Sequence, residues 1–490
     1  MNFMDAFASF VAGESSGTMN LPKGPGQGGI PLKPYMPAWR GTSRQVCGLY
    51  PFINGSAAPR IGVPLGPVID GEGYLCADPI SWFRRGLISA PSAMILALNG
   101  LGKSSMVRRM IIGHDYQGVN SMVLGDLKPD QVETIRRLGG QVITIGHGKG
   151  GINPLDAGNV DEAADLLTSH PAIRDELLKA AHERKKNMVF MLMHIQRKSF
   201  PGDREQTIID EAISLLESRG GKPALVDLLD IIRQAPPELR LAALDRGSDD
   251  RYREVTEELE VTLEALLRGR MGGIFAARET TPMLTDRSVV FDVSSLQSED
   301  DSLQAAVLLS CWSYGFATVE ITQALADAGV APRRYFNLIM DELWKALGLS
   351  PGMVKHVDAL SRLNRQIGIG TVYITHSMVD FMALATEEDR RKASGLVERS
   401  RMLLLGGVTY REIDLLRGLF RFSDKEVRRL TGWNAPAGYD KFNQRPLPMP
   451  GMGKFMLKTS DDPGITFSID LTPEEMELSE QSNFRWERQA

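Results

Sequence analysis

The sequence predicts an α/β fold with a central, mainly parallel sheet and a helical insertion. Two observations lead to this prediction. Apolar runs, each followed by a helical pattern, alternate from Ala93 onward and resume at Arg287. Such alternation is typical of parallel sheets, whose strands are buried on both faces. Residues 160–270 instead carry consecutive amphipathic helical patterns without a clear strand, which indicates an insertion.

Length and composition restrict the class of protein. A chain of 490 residues is too long for one small core, and its net charge of -5 gives no overall attraction to nucleic acid or anionic membranes, although a local basic patch remains possible. Cys47, Cys76 and Cys311 have no metal-ligand spacing, which favours a reducing compartment. No apolar run has the length of a membrane span, and the first residues lack a basic signal region. We expect a cytoplasmic protein.

The segment "MILALNGLGKSS" is typical of a phosphate-binding loop (P-loop), although Ala97 stands where the pattern has its first glycine. An apolar strand leads into a glycine-containing turn, and a helical segment follows, whose N-terminus favours anions. We expect Lys103 to contact the β- and γ-phosphates and Ser104 to bind magnesium. The residues expected to surround the phosphates are Asn99, Gly100, Leu101, Gly102, Lys103, Ser104 and Ser105.

A second motif, "YFNLIMDELW", resembles the Walker B pattern, in which an apolar strand ends in two carboxylates. We expect Asp341 to hold magnesium through water and Glu342 to polarise the attacking water. A solvated acidic turn at the end of a strand is the structural alternative.

Two further segments follow predicted strands. In "GIGTVYITHS", a buried strand ends in Thr375, His376 and Ser377, which could sense the γ-phosphate; the alternative is a histidine satisfied at the rim of the sheet. In "VLGDLKPD", Asp126 ends a strand. For this segment and for "GGINPLD", a role at the nucleotide site and a plain structural turn are equally good interpretations.

These motifs, in this order, resemble the VirB-four (TraC-like) ATPases of type IV secretion and conjugation systems, within the HerA–FtsK superfamily. The resemblance extends from about Ile61 to Leu471, and "INPLD" is its most specific part. It implies a RecA-like P-loop NTPase that hydrolyses ATP with Mg²⁺ and forms homo-oligomers, with a hexamer as the expected form. It also implies docking to secretion-channel or conjugation proteins at the cytoplasmic face of the membrane, with DNA as a possible further partner.

The resemblance also implies an arginine finger, which a neighbouring subunit inserts to stabilise charge on the γ-phosphate. The candidates Arg362 and Arg365 lie three residues apart on a predicted helix, and Arg399 and Arg401 form a reserve pair. Three features depart from the family pattern. Ala97 replaces a glycine, His376 stands where these ATPases usually carry glutamine, and "GDLK" is equally similar to the VirD-four coupling proteins.

The predicted organisation has five segments. They are a flexible N-terminal arm (1–45), the start of the ATPase domain with the P-loop (46–159), a helical subdomain (160–270), the rest of the ATPase domain (271–432) and a C-terminal tail (433–490). Three functions stay open at this point: a motor for DNA or protein transfer, a HerA-like DNA translocase without a secretion channel, and a degenerate nucleotide-binding assembly protein.

Overall fold

The computed structural model describes residues 58–341, 368–382, 384, 386–440, 445–459 and 462–481. The predicted catalytic residues Glu342, Arg362 and Arg365 lie outside these ranges, as does the predicted N-terminal arm.

A nine-stranded sheet is the centre of the described fold, with strand order β13-β12-β9-β3-β8-β7-β4-β6-β5. The seven strands from β9 to β5 are parallel, whereas β12 is antiparallel to both β9 and β13. The predicted mainly parallel sheet is therefore confirmed. The strands are β1 (Pro64–Pro67), β2 (Tyr74–Cys76), β3 (Ser92–Leu96), β4 (Asn120–Asp126), β5 (Gln141–Thr144), β6 (Val289–Asp292), β7 (Phe336–Met340), β8 (Ile369–Thr375), β9 (Met402–Leu405), β10 (Tyr439–Asp440), β11 (Arg445–Pro446), β12 (Lys454–Lys458) and β13 (Ile465–Ser468).

Both faces of the sheet are covered. Alternate residues of β3 enter different cores, since Met94 and Leu96 belong to one apolar cluster and Ala93 and Ile95 to another. The described helices are α1 (Pro79–Arg84), α2 (Lys103–Tyr116), α3 (Val132–Arg137), α4 (Val160–Leu166), α5 (Pro171–Arg197), α6 (Asp203–Ser218), α7 (Leu225–Gln234), α8 (Pro237–Ala243), α9 (Asp249–Arg268), α10 (Gly272–Phe275), α11 (Asp301–Asp327), α12 (Val379–Met382), α13 (Glu387–Arg399), α14 (Tyr410–Leu416), α15 (Asp424–Gly432) and α16 (Pro473–Gln481).

The helical insertion is confirmed, because helices α4 to α10 fill the chain between β5 and β6, and this fully described stretch contains no strand. Its helices are amphipathic. In α7, for example, Leu225, Leu228, Leu229 and Ile232 recur at helical spacing and are all buried. These side chains belong to the same apolar cluster as one face of the sheet, so the insertion is packed onto the sheet.

Helix α11 joins the insertion to the sheet, since it packs against both α5 and β4. Gly315 permits the close approach to β4, because a Cβ atom there would lie 2.7 Å from the side chain of Leu124. Within the described residues, α11 is the one helix that is long and apolar enough to cross a membrane, but 94% of its most apolar window is buried inside the protein. Core packing accounts for its composition.

The C-terminal segment extends the sheet. The segment "GITFSIDL" contains β13, and β12, which the sequence analysis did not predict, lies between β13 and β9. A capping box begins α16, since the N–H of Thr472 donates to Glu475 Oε2 (2.7 Å) and the N–H of Glu475 donates to Thr472 Oγ1 (3.3 Å). Helix α16 packs against α2.

Candidate nucleotide-binding site

The loop between β3 and α2 has the geometry of an anion site. Strand β3 ends at Leu96, and α2 begins at Lys103, directly after the N-cap residue Gly102. Gly100 (φ +79°) and Gly102 (φ +100°) both have the left-handed backbone conformation that favours glycine. The loop therefore turns tightly into the N-terminus of a 14-residue helix, where backbone N–H groups and the helix dipole favour phosphate.

The structure explains how alanine fits the first position of this loop. The φ angle of Ala97 is outside the left-handed region, so its backbone does not require glycine. Its methyl group is buried against Gly406, where a Cβ atom would lie only 2.6 Å from the Cβ of Ala97. The space that the methyl group needs is thus provided by the glycine that follows β9.

Lys103 lies across the loop. Its Nζ donates hydrogen bonds to the carbonyl oxygen of Ala97 (2.6 Å) and to Asn99 Oδ1 (3.3 Å). The ammonium group thus donates to two neutral oxygens of its own loop. Phosphate oxygens form stronger, charge-assisted hydrogen bonds with a lysine and can compete for this group.

Ser104 is held by a residue that the sequence analysis did not select. Its hydroxyl donates to Asp130 Oδ2 (2.6 Å), and Gln131 Nε2 donates to its carbonyl oxygen (3.1 Å). Asp130 ends the segment "GDLKPD", four residues after Asp126, and that spacing was the only available signal. The turn is closed by Asp126, whose carboxylate accepts from the N–H groups of Asp130 (3.2 Å) and Gln131 (2.7 Å).

Three carboxylates meet beside the P-loop. Asp126 ends β4, and Asp341 follows the neighbouring parallel strand β7, so both lie at the carboxyl edge of the sheet together with Asp130. Burial, supported by the nearby charges of Asp130 and Asp341, raises the pKa of Asp126 to about 7. A concentration of negative charge of this kind is an environment that favours a cation.

These residues fit a magnesium ion that is bound together with phosphate. Within the described parts of the chain, no group of three or more His, Cys, Asp and Glu side chains is arranged to hold a metal by itself. Magnesium at a P-loop needs fewer protein ligands, because phosphate oxygens and water complete its octahedron. The Ser104 hydroxyl, as a direct ligand, and the Asp341 carboxylate, through water, remain the groups that we predict to hold it.

The end of β8 lies next to the P-loop, since Thr375 is the register partner of Leu96. His376, which follows, is half-buried at the same edge. Ser377 and Met378 are held by a buried carboxylate that the sequence analysis missed: the Ser377 hydroxyl (2.5 Å) and the Met378 N–H (2.6 Å) both donate to Glu412 of α14. The turn after β8 is therefore anchored, and His376 keeps its predicted role as a proposal.

The reserve arginines lie at the other edge of the sheet. Arg399 O accepts a hydrogen bond from Ser92 Oγ at the start of β3 (2.8 Å), and Arg401 directly precedes β9. Neither residue is on the edge that carries the P-loop of its own chain. A role for either one as a finger would therefore require a neighbouring subunit.

Comparison with solved structures identifies the fold. The structure of VirB4 of Thermoanaerobacter pseudethanolicus matches with a TM-score of 0.63 and 19% sequence identity, over 86% of this chain and 100% of that chain. The protein has the VirB4 fold. The plasmid coupling protein TrwB, in complex with the non-hydrolysable ATP analogue ADPNP, aligns with a TM-score of 0.48 and 11% identity, over 86% of this chain and 96% of that chain. No family model and no curated protein matches the sequence.

The match to VirB4 confirms, at the level of fold, the resemblance inferred from the motifs. The predicted architecture, with its parallel sheet and helical insertion, is that of VirB4. The catalytic, phosphate-binding and metal-binding roles of individual residues stay predictions.

The contact between Ala97 and Gly406 can be tested by a double-mutant cycle. Gly406→Ala should destabilise the protein by about 1–3 kcal/mol, because its new methyl group overlaps that of Ala97. Ala97→Gly should also destabilise, but the double variant should recover most of the loss, which thermal unfolding would measure. Gly432→Ala is the control, because a Cβ atom there meets open space. Additive effects of the two changes would contradict the proposed packing.

Asp126 should make stability dependent on pH. Its pKa in the folded protein is about 7, above the ordinary value of 3.8, so the folded state binds more protons than the unfolded state between these values. The contribution of Asp126 to the free energy of unfolding is therefore fully present below about pH 4 and is lost as the pH rises through 7. Asp126→Asn removes the titration, so the stability of the variant relative to wild type should increase between pH 5 and pH 8. Thermal unfolding at both pH values, with Asp230→Asn as an exposed control, measures the change; an equal difference at both pH values would contradict it.

Proposed function

We propose that this protein is a magnesium-dependent ATPase that powers DNA or protein transfer in a conjugation or type IV secretion machine. The observation that carries the proposal is the position of Lys103 and Ser104 on a phosphate-binding turn beside the carboxylates of Asp126, Asp130 and Asp341. The VirB4 fold supports it. Phosphates, a metal ion and acidic groups that organise water are the elements that ATP hydrolysis requires.

Each side chain of the loop has a separate part in this proposal. Backbone N–H groups between Asn99 and Ser105 bind phosphate oxygens, and Lys103 moves from the Ala97 carbonyl to the β- and γ-phosphates. The Ser104 hydroxyl leaves Asp130 and turns to the metal. When bound, Mg²⁺ would be held by Ser104 and, through water, by Asp341, and it would neutralise charge that develops on the phosphates. Asp130, once released, would keep its negative charge beside Ser104, the residue that would hold the metal.

The remaining residues serve hydrolysis and its control. Asp341 holds the metal through water, and Glu342, the next residue, accepts a proton from the attacking water. His376 extends from the strand beside the P-loop and reports whether the γ-phosphate is present. Arg362 or Arg365 of a neighbouring subunit completes the site. We propose a homo-oligomer, a hexamer by analogy with related motors, at the cytoplasmic face of the membrane.

One observation favours a second candidate function, that of a nucleotide-binding assembly protein with little turnover. Lys103 and Ser104 both form short hydrogen bonds with oxygens of their own chain, and these bonds have to be exchanged before phosphate and metal bind. Measuring ATP hydrolysis with and without DNA, together with the mass of the particle in the presence of nucleotide, separates the two functions. Binding without turnover would favour the assembly protein.

Lys103→Ala should lower ATP turnover at least about 100-fold, because the developing phosphate charge loses its cation from the P-loop. Phosphate release at saturating ATP measures this effect. The matched control is Lys149→Ala, which removes an exposed lysine that also follows a glycine. A Lys103→Ala protein with wild-type turnover would exclude this loop as the catalytic site.

Mixed oligomers test the arginine finger. Lys103→Ala is defective in its own P-loop, and Arg365→Ala is defective as a donor to its neighbour. If the finger acts in trans, mixtures of the two variants should regain turnover, because some interfaces then combine an intact P-loop with an intact arginine. If Arg362→Ala and Arg365→Ala both hydrolyse ATP at the wild-type rate, the finger is elsewhere, and Arg399→Ala and Arg401→Ala become the variants to mix.

A further inference from the structure

A short turn before β12 is attached directly to the P-loop. We call residues 449–453 (MPGMG) the methionine turn. The N–H of Met452 donates to the carbonyl of Met449 (3.0 Å), which closes the turn, and the N–H of Gly453 donates to the carbonyl of Leu101 within the P-loop (3.1 Å). The turn is thus fixed to the backbone that is expected to surround phosphate.

Packing fixes the same turn from two other sides. A Cβ atom at Gly451 would lie 2.3 Å from the carbonyl oxygen of Trp433, so the turn is pressed against the backbone after α15. A Cβ atom at Gly102 would lie 3.5 Å from Gly453, and one at Gly100 would lie 3.9 Å from the terminal methyl group of Met449. The Met449 side chain therefore lies beside the glycine at the centre of the P-loop.

The methionine turn leaves apolar surface open to solvent at this position. Met449 is 39% exposed and Met452 is 52% exposed, and the neighbouring Leu447 and Tyr439 are exposed as well. Pro448 and Pro450 flank Met449 and restrict the backbone. Several exposed apolar groups that lie together beside a polar site are typical of a surface that contacts a ligand.

The order of the strands indicates which part of a nucleotide reaches this surface. The P-loop strand β3 has β8, β7 and β4 on one side, where Asp341 and Asp126 lie, and β9 and β12 on the other, where the methionine turn lies. Asp341, which would hold magnesium beside the β- and γ-phosphates, lies on the first of these sides, so that end of the triphosphate would face the carboxylates. The base, at the opposite end of the molecule, is directed towards β9 and β12.

We propose that the methionine turn, and Met449 above all, is the surface against which the purine base of ATP packs. The inference rests on the proposed nucleotide-binding function and names a contact beyond the phosphates. A thioether makes favourable contacts with aromatic rings and adapts to their shape. It offers no hydrogen-bond donor, so this contact does not distinguish adenine from guanine.

The experiment compares ATP with inorganic tripolyphosphate, which carries the phosphates without a base. Binding of ATP, GTP and tripolyphosphate is measured with Mg²⁺ by calorimetry on the full chain. Met449→Ala should weaken ATP and GTP about 3- to 10-fold and leave tripolyphosphate unchanged. Met449→Leu should retain most of the affinity, because it keeps an apolar side chain of similar size. Met476→Ala, at an exposed methionine of α16 outside the turn, is the matched control and should change nothing.

The remaining outcomes overturn the proposal in different ways. If Met449→Ala weakens ATP and tripolyphosphate equally, the residue supports the P-loop and does not contact the base. If it changes neither, the base lies elsewhere. If the wild-type protein binds tripolyphosphate and ATP with the same affinity, no base contact exists. If it binds neither, the proposed nucleotide-binding function fails first, and that result is separate from the three others.

Discussion

The register of β3 with its two neighbours determines where the site is built. Leu96 is the partner of Thr375 in β8 and of Leu405 in β9, so these three parallel strands end level at one edge of the sheet. The P-loop therefore starts beside the glycines that follow β9. The N–H of Gly406 donates to Leu96 O (2.9 Å), and the N–H of Leu98 donates to Gly407 O (3.2 Å). Hydrogen bonds that continue past the strands hold the first residues of the loop. Alanine is tolerated at the first position because this arrangement places Gly406 against its methyl group.

A buried arginine couples the two halves of the site. Arg108, on the second turn of α2, is 1% exposed and donates to Asp130 O (3.1 Å) and to Thr134 Oγ1 (3.1 Å). A buried guanidinium is costly unless its donors are satisfied, so these bonds strongly favour one arrangement of the segment after β4 relative to α2. Helix α2 carries Lys103 and Ser104, and the segment after β4 carries Asp130. Arg108 therefore fixes the position of Asp130 relative to the P-loop residues at the start of its own helix.

The fold was predictable where its signals are local. Buried parallel strands, amphipathic helices and the glycine turn each produce a pattern within one segment, and all three were recognised. Strand β12 was missed because "KFMLK" has a lysine at each end, which does not resemble a buried strand. Lys458 is nonetheless 1% exposed and pairs with Glu426 of α15 (3.2 Å), a residue 32 positions away. The same reason explains why the sequence analysis missed Asp130, Gly406 and Glu412. Their partners lie in other segments, and a contact between distant segments leaves no local sequence pattern.

The hydrogen bonds of the P-loop side chains also bear on the energetics of ligand binding. Lys103 and Ser104 both have partners within the protein, so neither group is a buried orphan whose desolvation cost a ligand would relieve. Phosphate that binds Lys103 has to replace its hydrogen bonds to the Ala97 carbonyl and to Asn99 Oδ1, which reduces the net gain. For Ser104 the exchange releases the Asp130 carboxylate, which then needs a new donor or a cation nearby. Phosphate without metal would leave added negative charge beside three carboxylates, and metal without phosphate would lack most of its ligands. The arrangement of charges thus favours the joint binding of phosphate and metal over the binding of either one alone.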